Sequence, residues 1–282
     1  MLDVGGARLQ VDVTGAAPAL PMAAVVAHVK QAATVVTNYY GRFPVRSARI
    51  RVVIVPDRHG IMQGTTWGDV DGFPAVTRLR IGQNTTTEEF TADWMTTHEL
   101  VHMALPSLPD DNHWLEEGLS TYVEPIARAQ TGDVTAEDTW QEMEEGMPKG
   151  EPGSGDQGLD RTHTWGRTYW GGALFCLVAD VEIRKQTGNK RGLRDALRGI
   201  VDAGGAINNN WPIDKVFSTG DRATGTSVLQ DLYKKWSSAP VTVDLPQLWQ
   251  QLGVRSSGRA ISFDDSAPLA KIRTSITART TH

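Results

Sequence analysis

Cysteine is almost absent from this chain. Cys176 stands alone among 282 residues, so no disulfide can form within it. Its setting in the apolar run Ala173-Leu174-Phe175-Cys176-Leu177-Val178 reads as a small buried hydrophobe rather than a reactive thiol. Long hydrophobic runs are absent too. Nothing approaches the roughly 20 consecutive apolar residues of a membrane span, and the most apolar stretch near the start, 16–36, is interrupted by Pro18, Pro21, His28 and Lys30 and reads as an amphipathic helix. There is no basic run, and the net charge of -5 argues against nucleic acid or an anionic membrane surface as the principal partner. The first residues lack the basic and apolar regions of a secretory signal, which leaves a cytoplasmic protein or an extracytoplasmic one whose signal has been removed. Internal repeats, heptads and a phosphate-binding glycine loop are all missing. The length is enough to bury a substantial core in one large domain or two small ones.

What is present begins with alternating and helical patterns. A short strand is expected over 9–13, a helix over 21–40 and a strand over 50–55 that Pro56-Asp57 stops. The Gly-, Thr- and Asp-rich stretch 60–72 reads as loop or hairpin, and the alternation over 75–82 as a half-buried strand. Thr85-Thr86-Thr87-Glu88-Glu89 offers a hydroxyl cap and an acidic first turn, so a helix should start there and run to Pro106. Segment 146–160 contains five Gly and two Pro, which makes it the best candidate for a mobile loop; a surface loop is the favoured reading over a lid. Helices are expected over 165–188, 190–203, 211–217 and 226–236, with a last short strand over 261–263.

His98-Glu99-Leu100-Val101-His102 lies within the helix that should end at Pro106. Four residues apart on a helix, His98 and His102 project from one face and can reach a single cation, with Glu99 beside the water that cation would bind. Twelve residues beyond His102 begins Trp114-Leu115-Glu116-Glu117-Gly118-Leu119-Ser120-Thr121-Tyr122-Val123-Glu124, which supplies a carboxylate at the start of a second helix. Either Glu116 or Glu117 would complete a catalytic His2Glu zinc site with an open fourth position. A metzincin would need a third His soon after the first motif, and Met103-Ala104-Leu105-Pro106-Ser107-Leu108 stands there instead. His113, Asp110 and Asp111 read as solvated loop residues, and Thr121 and Glu124 as residues able to orient ligands from behind.

Together the two segments resemble the gluzincin metallopeptidases of the MA clan, in particular the M1 aminopeptidases and the M61 glycyl aminopeptidase-like proteins, whose second motif reads roughly W-L-x-E-G followed by a helix ending in Y-V-E. The resemblance implies Glu117 as third ligand, one Zn2+ per chain, Glu99 as general base, and a peptide or protein substrate. It implies an α+β fold: a thermolysin-like zincin catalytic domain with a small mixed sheet, followed by a mainly α-helical C-terminal subdomain. On that basis 1–132 would carry the sheet, the metal helix and the third-ligand helix, and 133–282 the helical part, packed together as one catalytic unit. In that family the last strand before the metal helix is the sheet edge that pairs with substrate, which implies that 72–76 lines the cleft.

The segment Thr164-Trp165-Gly166-Arg167-Thr168-Tyr169-Trp170-Gly171-Gly172 resembles the M1 and M61 stretch whose tyrosine stabilises the tetrahedral intermediate. The resemblance implies Tyr169 in that role, with Gly171 where lysine is usual; a core aromatic is the competing reading, and His163 a second possible donor. The M1 motif G-x-M-E-N, whose Glu holds the substrate amine, has no counterpart; Asp69 or Asp71 are the nearest acids. The connection from His102 to the third ligand is shorter than in M1 enzymes. Two other function classes fit the same residues: a catalytically inactive peptide-binding or scaffold protein of this fold, and a zinc hydrolase of non-peptide amides or esters.

Overall fold

The structure, a computed structural model, describes residues 1–15, 20–258 and 260–280. These divide into two units, 1–107 with 204–210, and 108–203 with 211–282. The helix bearing Glu117, which the sequence groups with the sheet, belongs to the second.

The first unit is built on a mixed five-stranded sheet of order β1-β2-β3-β5-β4. β1 (Leu2–Val4) and β2 (Ala7–Thr14) pair antiparallel, and a helix, α1 (Met22–Tyr40), connects β2 to its parallel neighbour β3 (Ser47–Val55). α1 buries Val25, Val29, Ala32, Ala33, Val36 and Tyr40, one stripe at helical spacing, and ends at a left-handed Gly41. Residues 16–19, the start of the apolar stretch read as helix, lie outside the described residues.

Of the two readings of 60–72, loop or hairpin, the structure shows the hairpin. The stretch forms β4 (Ile61–Val70), joined to β5 (Phe73–Gly82) by the two-residue turn Asp71-Gly72, both with positive φ, as a tight hairpin of the right twist requires. β5 also pairs in parallel with β3, which leaves β4 at the edge. The edge expected at 72–76 is therefore corrected to β4; Val76 is an inner-strand residue and is fully buried. Ala48, Ile50, Val52, Ala75, Thr77, Leu79 and Ile81 line the buried face, and Arg49, Arg51, Arg78 and Arg80 point the other way.

The helix expected over 85–106 is broken in two. α2 (Thr87–Ala92) starts at a capping box between Thr86 and Glu89 and stops at Asp93, and α3 (Met95–Val101) follows, continued by a 3-10 turn over His102–Ala104. Asp93 causes the break: its carboxylate accepts from the Met95 and Thr96 N–H groups at 3.1 and 3.0 Å and so caps a new helix instead of continuing the old one. α3 lies against β4 and β5. Segment 204–210 returns to this unit, where Ser107 N–H donates to Asn209 O at 2.9 Å and Ser107 Oγ to Ile207 O at 2.8 Å.

The second unit is mainly helical. α4 (His113–Thr131) crosses the helix α6 (Gly172–Gln186), and between them in sequence come α5 (Ala136–Gly146) and a π-helical turn over Arg167–Gly171. α7 (Leu193–Asp202), α8 (Ile213–Thr224) and α9 (Val228–Trp236) follow, then α10 (Leu245–Leu252), a hairpin of β6 (Val254–Ser257) and β7 (Ala260–Phe263), and α11 (Ala270–Thr277). Trp114, Phe175, Phe217, Tyr233 and Trp236 form a connected aromatic cluster. Buried Asp180 accepts from Tyr122 Oη, Arg184 Nε and the Leu193 N–H at 2.8–3.0 Å, tying α4 and α6 to the start of α7.

Segment 146–160 is fastened rather than loose. Asp160 accepts from Tyr233 Oη at 2.7 Å, Trp114 Nε1 at 2.8 Å and Asn112 Nδ2 at 3.0 Å, and burial together with Asp160 pushes the Tyr233 phenol up from its usual range. Arg167 donates to Gly150 O and pairs with Asp156 at 2.8 Å. Cys176 is buried, and burial pushes its thiol up, as expected of an inert side chain.

Candidate metal centre

In the first unit, α3 and its 3-10 extension carry His98, Glu99 and His102. The His102 N–H still donates to His98 O, so the i to i+4 turn between the two imidazoles is closed. Their ring centroids are 5.0 Å apart at 78°. His98 and Glu99 are 5% and 8% exposed, and the Trp94 ring meets that of His98 edge-on at 5.6 Å.

Two strand residues set the position of Glu99. Thr66 Oγ lies 2.8 Å from Glu99 Oε2 and 2.9 Å from the Glu99 carbonyl. Gly64 faces the same side chain, and a Cβ at that position would stand 2.4 Å from Glu99 Cγ. Both residues fall in the stretch whose composition reads as loop or hairpin, where the β-branched pair Thr65-Thr66 ahead of Trp67 is the signal for a strand. Behind α3, His28 Nε2 is 2.9 Å from both Asp93 Oδ2 and Thr96 Oγ, with its ring against Phe90. Burial raises the Asp93 carboxyl, but the hydrogen bonds from His28 and Thr96 outweigh it and hold the group below the ordinary carboxylate range.

Asp69 and Asp71 do not face Glu99. Gly64 and Thr66 face α3, so Asp69 alternates to the other face of β4, and Arg51 on that face draws in the Asp71 carboxylate.

In the second unit, Glu116 and Glu117 separate by their partners. Glu116 accepts from the Leu108 N–H and pairs with His113 Nδ1, both at 2.9 Å, which closes the loop before α4. Glu117 has His113 Nε2 at 3.5 Å. Gly118, next in the chain, meets Gly172 backbone to backbone: a Cβ on Gly118 would stand 2.3 Å from Gly172 Cα. That contact fixes the π-helical turn bearing Tyr169 against the helix bearing Glu117. Tyr169 is half-buried and stacks with exposed Trp165 at 5.7 Å. His163, Asp110 and Asp111 are exposed. Thr121 Oγ donates to the Glu117 carbonyl at 2.8 Å, not to its carboxylate, and buried Glu124 pairs with Arg128 at 3.0 Å.

His98, His102 and Glu117, each offering one donor atom, are the group among the described residues that could hold a metal ion. No helix of the described residues is long and apolar enough to cross a membrane.

No family model and no curated protein matches the chain. Solved structures do. An aminopeptidase N family protein from Idiomarina loihiensis superposes with a TM-score of 0.65 at 14% identity, over 90% of this chain and 48% of that one. An M1 zinc metallopeptidase from Deinococcus radiodurans gives a TM-score of 0.53 at 16% identity, over 84% of this chain and 49% of that one. The chain spans about half the length of the structures it matches. Over that span it shares the mixed α/β fold of these proteins.

Proposed function

We propose that this chain is a zinc-dependent metallopeptidase in which His98, His102 and Glu117 hold one zinc ion, Glu99 is the general base and Tyr169 stabilises the developing oxyanion. The donor set fits: zinc takes imidazole and carboxylate ligands, and three protein ligands leave a position open. When bound, zinc supplies Lewis acidity toward a water and toward the scissile carbonyl. The observation that carries the reading is Glu99, a nearly buried carboxylate held in place beside a candidate ligand, for which a purely structural site has no use. Glu99 takes a proton from the attacking water and returns it to the leaving amine. Tyr169, on a π-helical turn of the kind that often marks functional positions, donates its phenol hydrogen to the oxyanion. An extended peptide adds to the edge of β4 through main-chain hydrogen bonds.

The test compares wild-type protein with Glu99→Gln on a peptide library and on a panel of small amides and esters. Zinc content should match in both, with turnover of peptides down about 100-fold or more in the variant. Equal rates, or two equally inert proteins, would overturn the reading, and hydrolysis confined to the small-molecule panel would move the substrate class.

A further inference from the structure

The hydrogen bonds at Thr66 define a directed chain. Thr66 Oγ has three oxygens within reach: Glu99 Oε2 at 2.8 Å, Glu99 O at 2.9 Å and Thr77 Oγ at 2.9 Å. A hydroxyl has one proton to give, and a carbonyl and an ionised carboxylate can only accept. The Thr66 proton is therefore shared between the two Glu99 oxygens, with Oε2 the nearer, and fully buried Thr77 donates to Thr66. The two threonines are direct cross-strand partners in β4 and β5, so the sheet itself sets the spacing of the chain.

From this arrangement we infer that Thr66 is a positioning residue for Glu99: Thr77 and Thr66 together pin Oε2 and leave Oε1 as the atom that takes the water proton. The inference rests on the peptidase reading above and deepens it. The hydroxyl lies on the edge strand 33 residues before the base, so the strand proposed to bind substrate also sets the base. Peptide docking and proton transfer are thereby referred to one rigid element, which is the precision that orientation-dependent catalysis needs.

Three variants test it. Thr66→Val keeps the shape and removes the hydroxyl, Thr66→Ser keeps the hydroxyl, and Thr77→Val removes the donor behind it. With one zinc per chain in each, Thr66→Val should lose about tenfold or more in kcat with KM within about twofold, and Thr66→Ser should recover to within about threefold of wild type. Thr77→Val should fall between them. A Thr66→Val protein with wild-type kcat, or a serine variant as slow as the valine one, overturns the inference.

A second readout does not depend on hydrolysis. In metal-free protein, thermal midpoints are measured for Thr66→Val, Glu99→Ala and the double variant. Shifts that fail to add support the Thr66–Glu99 coupling, and additive shifts overturn it. A wild-type protein that binds zinc and hydrolyses nothing would defeat the peptidase reading alone, and the melting cycle would still decide the contact.

Discussion

Glu99 occupies space that only a glycine opposite can leave. The Gly64 φ lies outside the left-handed region, so the sole penalty for a side chain there is the 2.4 Å approach to Glu99 Cγ. Gly64→Ala should fold and bind zinc as wild type does, yet lose about tenfold or more in kcat, because the displaced carboxylate no longer meets the water. Unchanged kcat with full zinc content would contradict the geometry. The residues of the HExxH motif were legible because five consecutive positions carry their own spacing. Thr66 and Gly64 were not, since a contact across 33 residues leaves no periodic trace and Gly and Thr in an Asp-rich stretch read as turn chemistry. The neighbours Glu116 and Glu117 are alike in sequence and become different only through Leu108 and His113, which occupy Glu116 on both oxygens.

At the scale of elements, α3 is short. It has seven residues, too few to be stable from its own hydrogen bonds. Its N-terminus depends on Asp93, which caps two N–H groups and holds His28. Asp93→Ala should cost about 1–3 kcal/mol in a denaturant or thermal melt and weaken zinc binding as α3 frays. Because the folded Asp93 carboxyl lies below its unfolded value of about 3.9, its contribution is present above about pH 4 and is lost as pH falls through the folded value. The stability gap between wild type and Asp93→Ala should therefore be full at neutral pH and narrow below pH 4; a gap that widens on acidification would contradict the assignment. This break is not legible in the sequence, since helical periodicity continues through Asp93 while the cap is a side-chain event. The surface loop expected over 146–160 carries ties that its composition does not announce. Five glycines suggested freedom, but Tyr233 and Val243, far downstream, tie Asp160 and Glu151 in place.

At the scale of the whole molecule, the order of strands and helices was legible as a mixed sheet followed by helices, and the solved structures of similar fold agree. Less legible was the partition. Contacts assign 204–210 to the sheet-bearing unit through Met103 and Ser107, pairings that no local pattern announces. At identities of 14% and 16% the likeness is one of fold, and activity is a property to be measured on this chain itself. A zinc site made by His98, His102 and Glu117 is decided by metal content, measured by mass spectrometry on purified wild type, Glu116→Ala and Glu117→Ala. About one zinc per chain is expected in wild type and in Glu116→Ala, with a marked loss in Glu117→Ala. Absence of zinc from wild type after reconstitution, or full occupancy in Glu117→Ala, would contradict it.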